Sequence, residues 1–338
     1  MPVNSGLADV SNALLFSTVI LYALAMLAYA CDFAFARQRV LADVEVPELV
    51  AVGAGGPAVA VPAQASRTLP PPAPPAGAPA SRWPSGFWVR IAFALTCIGV
   101  TCHVTAILTR GLAEHRVPWG NMYEFLAAIT CMAVLTLVAA SIRYRAYYMG
   151  LFVLLPVVLG LGIDLTVIYT PAGALVPALQ SYWIAIHVTA MIVSAGLFIF
   201  GAVVTTVYLL ADRSERRLAA GRPSWSAGIL QHVPGSVILD RLSYRSILFG
   251  FPVWTFGVMA GAIWADHAWG RYWGWDPKET WSFITWVVYA MFLHARATAG
   301  WRGKRAAWIH LAGFGCLMFN LIGVNLLITG LHSYAGMG

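Results

Sequence analysis

Runs of about twenty or more apolar residues recur eight times along this chain, and that pattern confines it to a lipid bilayer. A spanning helix needs roughly 20 such residues, because each advances the axis by about 1.5 Å across a hydrocarbon core ~30 Å thick. The rule predicts helices near 11–35, 86–110, 120–141, 146–168, 181–211, 246–265, 277–297 and 306–330. Composition agrees: 59% of the 338 residues are hydrophobic and 10% charged, where a soluble domain carries about 25% charged residues. The expected fold class is therefore all-α, a polytopic membrane protein of about eight transmembrane helices. The first run, Ala13 to Ala36, lacks a basic leader and is longer than a signal-peptide core, so it reads as a retained helix. The fifth is long enough to continue past the bilayer.

Positive charge orients these helices. With the N-terminus outside, seventeen of the 21 Lys and Arg residues fall on the inner side, in clusters such as Arg143/Arg145, Arg213/Arg216/Arg217 and Arg302/Lys304/Arg305. The outer side keeps Arg110, Arg116, Arg271 and Lys278. This positive-inside pattern predicts a multi-pass protein of the cytoplasmic (inner) membrane with both termini and a Trp-rich loop extracytoplasmic. It also accounts for the net charge of +7 without nucleic acid, leaving the lipid bilayer as the implied partner. Three regions follow: residues 1–37 with the N-terminal helix, a Pro/Ala-rich cytoplasmic linker over 38–85, and a seven-helix membrane domain over 86–338. The linker cannot bury a core and is expected to be disordered or polyproline-like. Cys31, Cys97, Cys102, Cys131 and Cys316 lie in or beside apolar segments with no C-x-x-C pair. That argues against a thiol oxidoreductase, a zinc site or a disulfide scaffold.

The stretch 264–281, between the sixth and seventh predicted helices, holds five tryptophans and a tyrosine. An interfacial aromatic belt explains any one of them but not the repetition. Trp269, Trp273 and Trp275 stand beside Gly270, Gly274 and Asp276, a shelf suited to a large planar apolar ligand with polar edges, and haem is the obvious biological candidate. His187, near the outer end of the fifth helix, and His332, after the last, flank this shelf. Two neutral imidazoles there could supply both axial ligands to a haem iron. Asn325 is expected on the same helical face as His332. His294 lies thirteen residues after Trp281, roughly 20 Å deeper, too far to share that iron. An ionisable residue inside a membrane helix is a functional candidate by default, and His310 or another subunit could supply its partner. His103 reads as a helix-packing hydrogen bond, while His115, His232 and His267 carry no assigned chemistry. Glu124 opens a helix on the outer side, either complementing the helix N-terminus or lining the same cavity. Arg271 or Lys278 could pair with a ligand carboxylate.

Trp269-Gly270-Arg271-Tyr272-Trp273-Gly274-Trp275-Asp276 resembles the tryptophan-rich W-G-x-x-W-x-W-D signature of haem-handling proteins in cytochrome c maturation. With Trp183-Ile184-Ala185-Ile186-His187 before it, Leu331-His332-Ser333-Tyr334 after it, and eight helices, the chain looks like the CcsA/ResC branch. That branch is the membrane half of a system II cytochrome c synthase, and the resemblance runs from about residue 86 to the C-terminus. It implies that His187 and His332 ligate haem b, carried as substrate, beside the tryptophans. It implies that His294 holds haem in transit, with its second ligand from a partner subunit, and it matches Asn121, Tyr123 and Glu124 to an outer-loop pattern. A separate CcsB/ResB-type membrane partner, an apocytochrome c with a C-x-x-C-H motif and, indirectly, a thiol-reducing thioredoxin-like protein are implied as well. The implied activity is part of a holocytochrome c synthase (haem lyase), with no catalytic residue beyond those that position haem, since the thiols belong to the substrate. Two alternatives stand beside it: a haem exporter or chaperone without ligation activity, and a dihaem membrane electron carrier using His187/His332 and His294/His310.

Overall fold

The computed structural model describes residues 3–42, 86–173, 175, 179–230 and 232–332. Most of the proline-rich linker, 43–85, lies outside the described residues, as do Ser333 and Tyr334. All regular structure among the described residues is helical. Helices α1 (Ser5–Ala42) and α2 (Phe87–Glu114) run along each other. Beside them stand α3 (Met122–Tyr144) and α4 (Gly150–Thr166), the latter entered through a 3-10 turn at Ala146–Met149. The central helix α5 (Tyr182–Ala219) packs on α3, on α7 (Ser236–Trp269) and on α9 (Lys304–Met318), with the single turn α6 (Ala227–Leu230) between α5 and α7. Helix α8 (Pro277–Ala297) pairs with α9, and a π turn at Phe319–Gly323 leads into the short α10 (Val324–Leu327). Seven of these segments are long and apolar enough to cross a membrane. Helix α8, with 21 residues, is long enough to be the eighth.

Small residues let the central pair approach. A Cβ on Gly250 would come within 2.8 Å of Phe198, one on Gly257 within 2.6 Å of Met191, and one on Gly261 within 2.6 Å of the His187 ring. Glycines at such helix crossings let large neighbours close the gap, the usual source of packing between membrane helices. Two apolar clusters result, one around Tyr22, Phe93, Leu137 and Leu161, the other around Phe198, Trp254, Tyr289 and Phe292.

One end of the bundle gathers the α2–α3 connection, the start of α5, the α7–α8 loop and the chain after α10. The N-terminus joins them, Asn4 N–H donating to Ala113 O at 2.9 Å. At the opposite end Arg296 makes a bidentate pair with Asp240, 2.8 Å at each oxygen, and Lys304 meets Asp212 at 3.2 Å.

Three helix ends that bear on the site differ from the sequence reading. Helix α7 begins ten residues before 246, because Leu239, Leu242 and Ile247 continue its buried face, and it runs on to Trp269. Trp264 and Trp269 are therefore helical, and the tryptophan loop shrinks to 270–276. The last helix stops at Leu327, not 330. His332 is therefore on no helix, and the face it was expected to share with Asn325 does not exist. Asn325 instead donates to its own helix at Leu321 O, 2.7 Å away.

A candidate ligand cleft at the tryptophan end

The starts of α3, α5 and α8 and the last turns of α7 leave a cleft between them. It holds about 1180 Å³ free of protein atoms, part of it continuous with the outside. Trp119, Trp254, Trp264, Tyr272 and Trp273 supply aromatic wall, and Met122, Ile129, Met191 and Leu317 supply aliphatic floor. His187, His332, Lys278, Ser282 and Asn320 are among its polar groups.

Both imidazoles are held by their Nδ1 atoms. That of His187 lies 2.7 Å from Gly257 O, and that of His332 lies 2.7 Å from Asp276 Oδ1. A carbonyl and a carboxylate only accept, so Nδ1 carries the proton in each ring, and a neutral ring then has its lone pair on Nε2. Histidines that bind metals are prepared in this way, the second nitrogen fixing tautomer and orientation. Trp264 lies against both rings. It is nearly parallel to His187, with centroids 6.0 Å apart at 7°, and 5.6 Å from His332, which Trp269 also meets at 4.9 Å. Gly261 makes room for the His187 ring, since a Cβ there would stand 2.7 Å from Nδ1.

Asp276 acts through His332 and does not line the cleft. It also caps α8, accepting from Lys278 N–H at 3.2 Å, and ties down the tail through Leu331 N–H at 2.7 Å. Burial alone would push its carboxyl up, but these hydrogen bonds, led by that from His332, outweigh burial and hold it below its usual range. Glu279 completes a capping box with Asp276, and Pro277 takes the first helical position.

The loop glycines serve the loop. Gly270, at φ 70°, ends α7 in the left-handed conformation, which glycine adopts without steric cost. At Gly274 the backbone passes against the Arg271 guanidinium, where any Cβ would collide. Arg271 is engaged by Glu279 at 3.3 Å, and Glu279 also accepts from Gly274 N–H at 2.8 Å and Asp276 N–H at 3.1 Å. Neither glycine nor Arg271 lines the cleft, so the close approach read from the sequence is to a side chain of the same loop. Of the shelf tryptophans, Trp273 lines the cleft, Trp269 backs His332, and Trp275 is 66% exposed beside Trp273 with φ 58°.

Glu124 stands outside the lining. It is buried in a four-charge knot with Arg110 at 3.2 Å and Arg116 at 2.8 Å, and Glu114 meets the same two guanidiniums at 3.1 and 2.7 Å. It also accepts from Gly120 N–H at 2.8 Å, while Asn121 caps α3. The knot sets the loop that carries Trp119 and Asn121 into the cleft. Tyr123 lies beneath the Arg110 guanidinium, 5.3 Å from its carbon.

The deeper histidines part company. His294 is exposed on α8. His310 is fully buried, its Nδ1 2.7 Å from Thr205 Oγ1 and 3.3 Å from Ser243 Oγ, beside a small pocket that His294 does not line. The two rings therefore do not face a common space. His103 is the packing residue expected, buried with Nδ1 3.3 Å from Tyr22 OH. The five cysteines are free thiols.

The cleft also holds residues that sequence reasoning passed over, among them Trp254, Gly261, Ser282 and Asn320. A signal was present. Trp254, Val258, Gly261 and Ala265 repeat at helical spacing on α7, as Lys278 and Ser282 do on α8.

These features define a class: a multi-pass helical membrane protein whose cleft sets two pre-oriented imidazoles among indoles. The family model described as cytochrome C assembly protein matches residues 119–332, a span that begins and ends on residues lining the cleft. The chain belongs to this family, and within it to the CcsA type of cytochrome c biogenesis proteins, so its process is cytochrome c maturation. The cytochrome c biogenesis protein CcsA of Guillardia theta is 36% identical over 256 residues, covering 71% of this chain and 83% of that one. Its counterpart in Gloeobacter violaceus is 37% identical over 280 residues, covering 68% and 82%. Among solved structures the cytochrome c haem lyase CcmF superposes with a TM-score of 0.58 at 16% identity, over 100% of this chain and 49% of that one. That likeness is one of fold, and this chain spans about half of the larger protein.

Proposed function

We propose that the cleft holds haem b through His187 and His332 and presents it for thioether attachment to apocytochrome c. The observation that carries this reading is the pair of Nδ1–H donations, to Gly257 O and to Asp276, which aim two ligand-ready imidazoles at one aromatic cleft. Haem is the cargo, and the cleft suits it in aromatic wall and in donor set. The two thiols of a C-x-x-C-H segment then add across the two vinyl groups, each S–H giving its sulfur to one vinyl carbon and its hydrogen to the other. This chain contributes position and exclusion of water. Trp264 and Trp269 brace the ligand rings, Trp119, Tyr272 and Trp273 wall the cleft, and Asp276 and Gly257 keep both tautomers fixed.

The tryptophan end faces outward in this reading, as the distribution of positive charge implies. His294, exposed on α8, is then a half-site that holds haem in transit once a CcsB/ResB-type partner supplies a second ligand. The same assembly acts as the holocytochrome c synthase, with a thioredoxin-like protein keeping the incoming thiols reduced. An exporter or chaperone without ligation activity would use the same cleft. The dihaem carrier has less support, since His310 is packed among hydroxyls and His294 turns elsewhere.

The test is the haem content and reduced absorption spectrum of the detergent-purified protein with its partner. Wild type is expected to carry a bis-imidazole b-type spectrum. His187→Ala and His332→Ala should each lower retention by about tenfold or more, with added imidazole restoring it, and His294→Ala should deplete haem altogether. Haem indifferent to His187 and His332 would overturn the assignment.

A further inference from the structure

The end of the bundle opposite the cleft is rich in arginine, and its cations fall into two kinds. Some are neutralised: Asp240 holds Arg296, and Asp212 holds Arg216 and Lys304. Glu215, the next carboxylate, is engaged by the N–H and hydroxyl of Ser236. Arg143, in the last turn of α3, and Arg245, in the third turn of α7, are exposed, and neither meets a carboxylate among the described residues. Both guanidiniums instead lie against one ring. The Arg245 carbon is 4.6 Å, and the Arg143 carbon 5.3 Å, from the centre of Tyr144. An aromatic face braces a guanidinium by cation–π attraction and spends none of its five N–H donors. The two charges are no farther apart than those two distances laid end to end, about a Debye length in physiological salt. Like charges this close repel, and an anion between them relieves the repulsion.

The surroundings specify the anion. Helices α3 and α7 are both long and apolar enough to cross a membrane. Toward the middle of those spans the neighbouring side chains are apolar and exposed, Ile142 on α3 and Leu248 and Phe249 on α7. Phe249 follows Arg245 by one turn on the same face. Unspent guanidiniums bordered by bare hydrocarbon match an amphipathic anion, its phosphate at the arginines and its acyl chains along Ile142 and Phe249. We infer that Arg143, Tyr144 and Arg245 form a binding site for the phosphate of an anionic phospholipid, which ties together the ends of two helices that both pack on α5. The guanidinium fork suits phosphate oxygens, accepting two of them at once. Arg241, one turn before Arg245, and Arg145, which closes α3 at φ 57°, add charge at the same border. A basic border attracts anionic lipid diffusely, whereas two forks braced on one ring fix a place. The site is independent of the haem reading and uses neither the cleft nor its histidines.

The probes are phosphatidylglycerol, phosphatidylcholine with the same acyl chains, and inorganic phosphate, each offered to the full chain in neutral detergent. Bound lipid is read by native mass spectrometry. Wild type should prefer the anionic lipid by about tenfold, the ordinary scale of charge-assisted hydrogen bonding. Arg143→Gln/Arg245→Gln should abolish that preference. Arg213→Gln/Arg222→Gln removes the same charge from exposed residues of α5 and the turn after it, and should leave the preference intact. Tyr144→Leu keeps both charges but loses the brace, and is expected to narrow the preference several-fold. Should the double variant fail to fold, Arg245→Lys provides an independent arm: it keeps the charge, loses the fork and should also narrow the preference several-fold. Equal binding of the two lipids by wild type, or an unchanged preference in Arg143→Gln/Arg245→Gln, overturns the inference. Equal loss in the two double variants assigns the preference to diffuse attraction and overturns it as well. Displacement of the lipid by inorganic phosphate at matched concentration would make this a site for soluble anions and overturn the lipid assignment.

Discussion

The chain places histidines at both ends of one helical bundle, and the two ends treat them differently. At the tryptophan end, His187 and His332 each spend one nitrogen on an acceptor and stand at a cleft of about 1180 Å³. At the other end, His310 is wedged between Thr205 and Ser243 at a pocket of about 200 Å³, and its Nε2 is buried without a partner. An imidazole inside a membrane bundle is therefore not a ligand site by virtue of its chemistry. Room beside it and a fixed tautomer make the difference. His294 fits neither description, because it looks away from the fold and needs another surface to complete it.

The sharpest way to break this contrast is to remove room from the cleft. Gly261→Val should drive side-chain atoms into the His187 ring and lower haem retention by about a hundredfold, the cost of displacing a positioned group by ~1 Å. Gly315→Ala, where a new Cβ meets nothing within 4 Å, should leave retention unchanged. Equal retention in both would show that the cleft does not depend on His187. A smaller effect is expected from Asp276→Asn, which keeps an acceptor oxygen but loses the charge that orients His332. Retention should fall by about tenfold. The folded Asp276 carboxyl is held below its usual range, so its contribution to stability is complete above the unfolded value of ~3.9 and lost as pH falls through the folded one. Thermal melts of the haem-free protein should show this acid limb below about pH 4 in wild type and a weaker one in Asp276→Asn. The smallest effect on the cleft should come from His310→Ala. It takes the ring nitrogen from the Thr205 and Ser243 hydroxyls, which keep only each other at 2.5 Å, and should cost about 1–3 kcal/mol of stability, read in the same melts, with haem–protein stoichiometry unchanged. Loss of haem from a stable His310→Ala protein would erase the distinction between the two ends.

Much of the architecture was legible because a bilayer imposes one length rule on every spanning segment. The helices around 122–144, 182–219 and 277–297 lie close to where apolar runs put them. His187 and His332 could be matched by topology alone. The fine structure of the site depends on partners distant in sequence. Nothing near Gly274 announces that its neighbour is Arg271 in place of a ligand, nor does Glu124 announce that Glu114 and two arginines await it. Trp264 was readable as one more tryptophan of a loop. Its position between two imidazoles emerges only when α7 continues past 264 and the tail folds back onto Asp276.

The π turn at Phe319–Gly323 has a bearing on length as well as shape. Such a turn accommodates one residue more than an α-helix would, and one residue corresponds to about 100° of rotation. The segment from Val324 onward is thus phased differently from the helix that precedes it, and Asn320, which faces the cleft, belongs to the turn itself. Deleting a single residue between 319 and 323 would return the helix to one continuous phase and swing the tail carrying His332 around the bundle axis. The number of residues in that one turn, as much as their identity, decides where the second imidazole arrives.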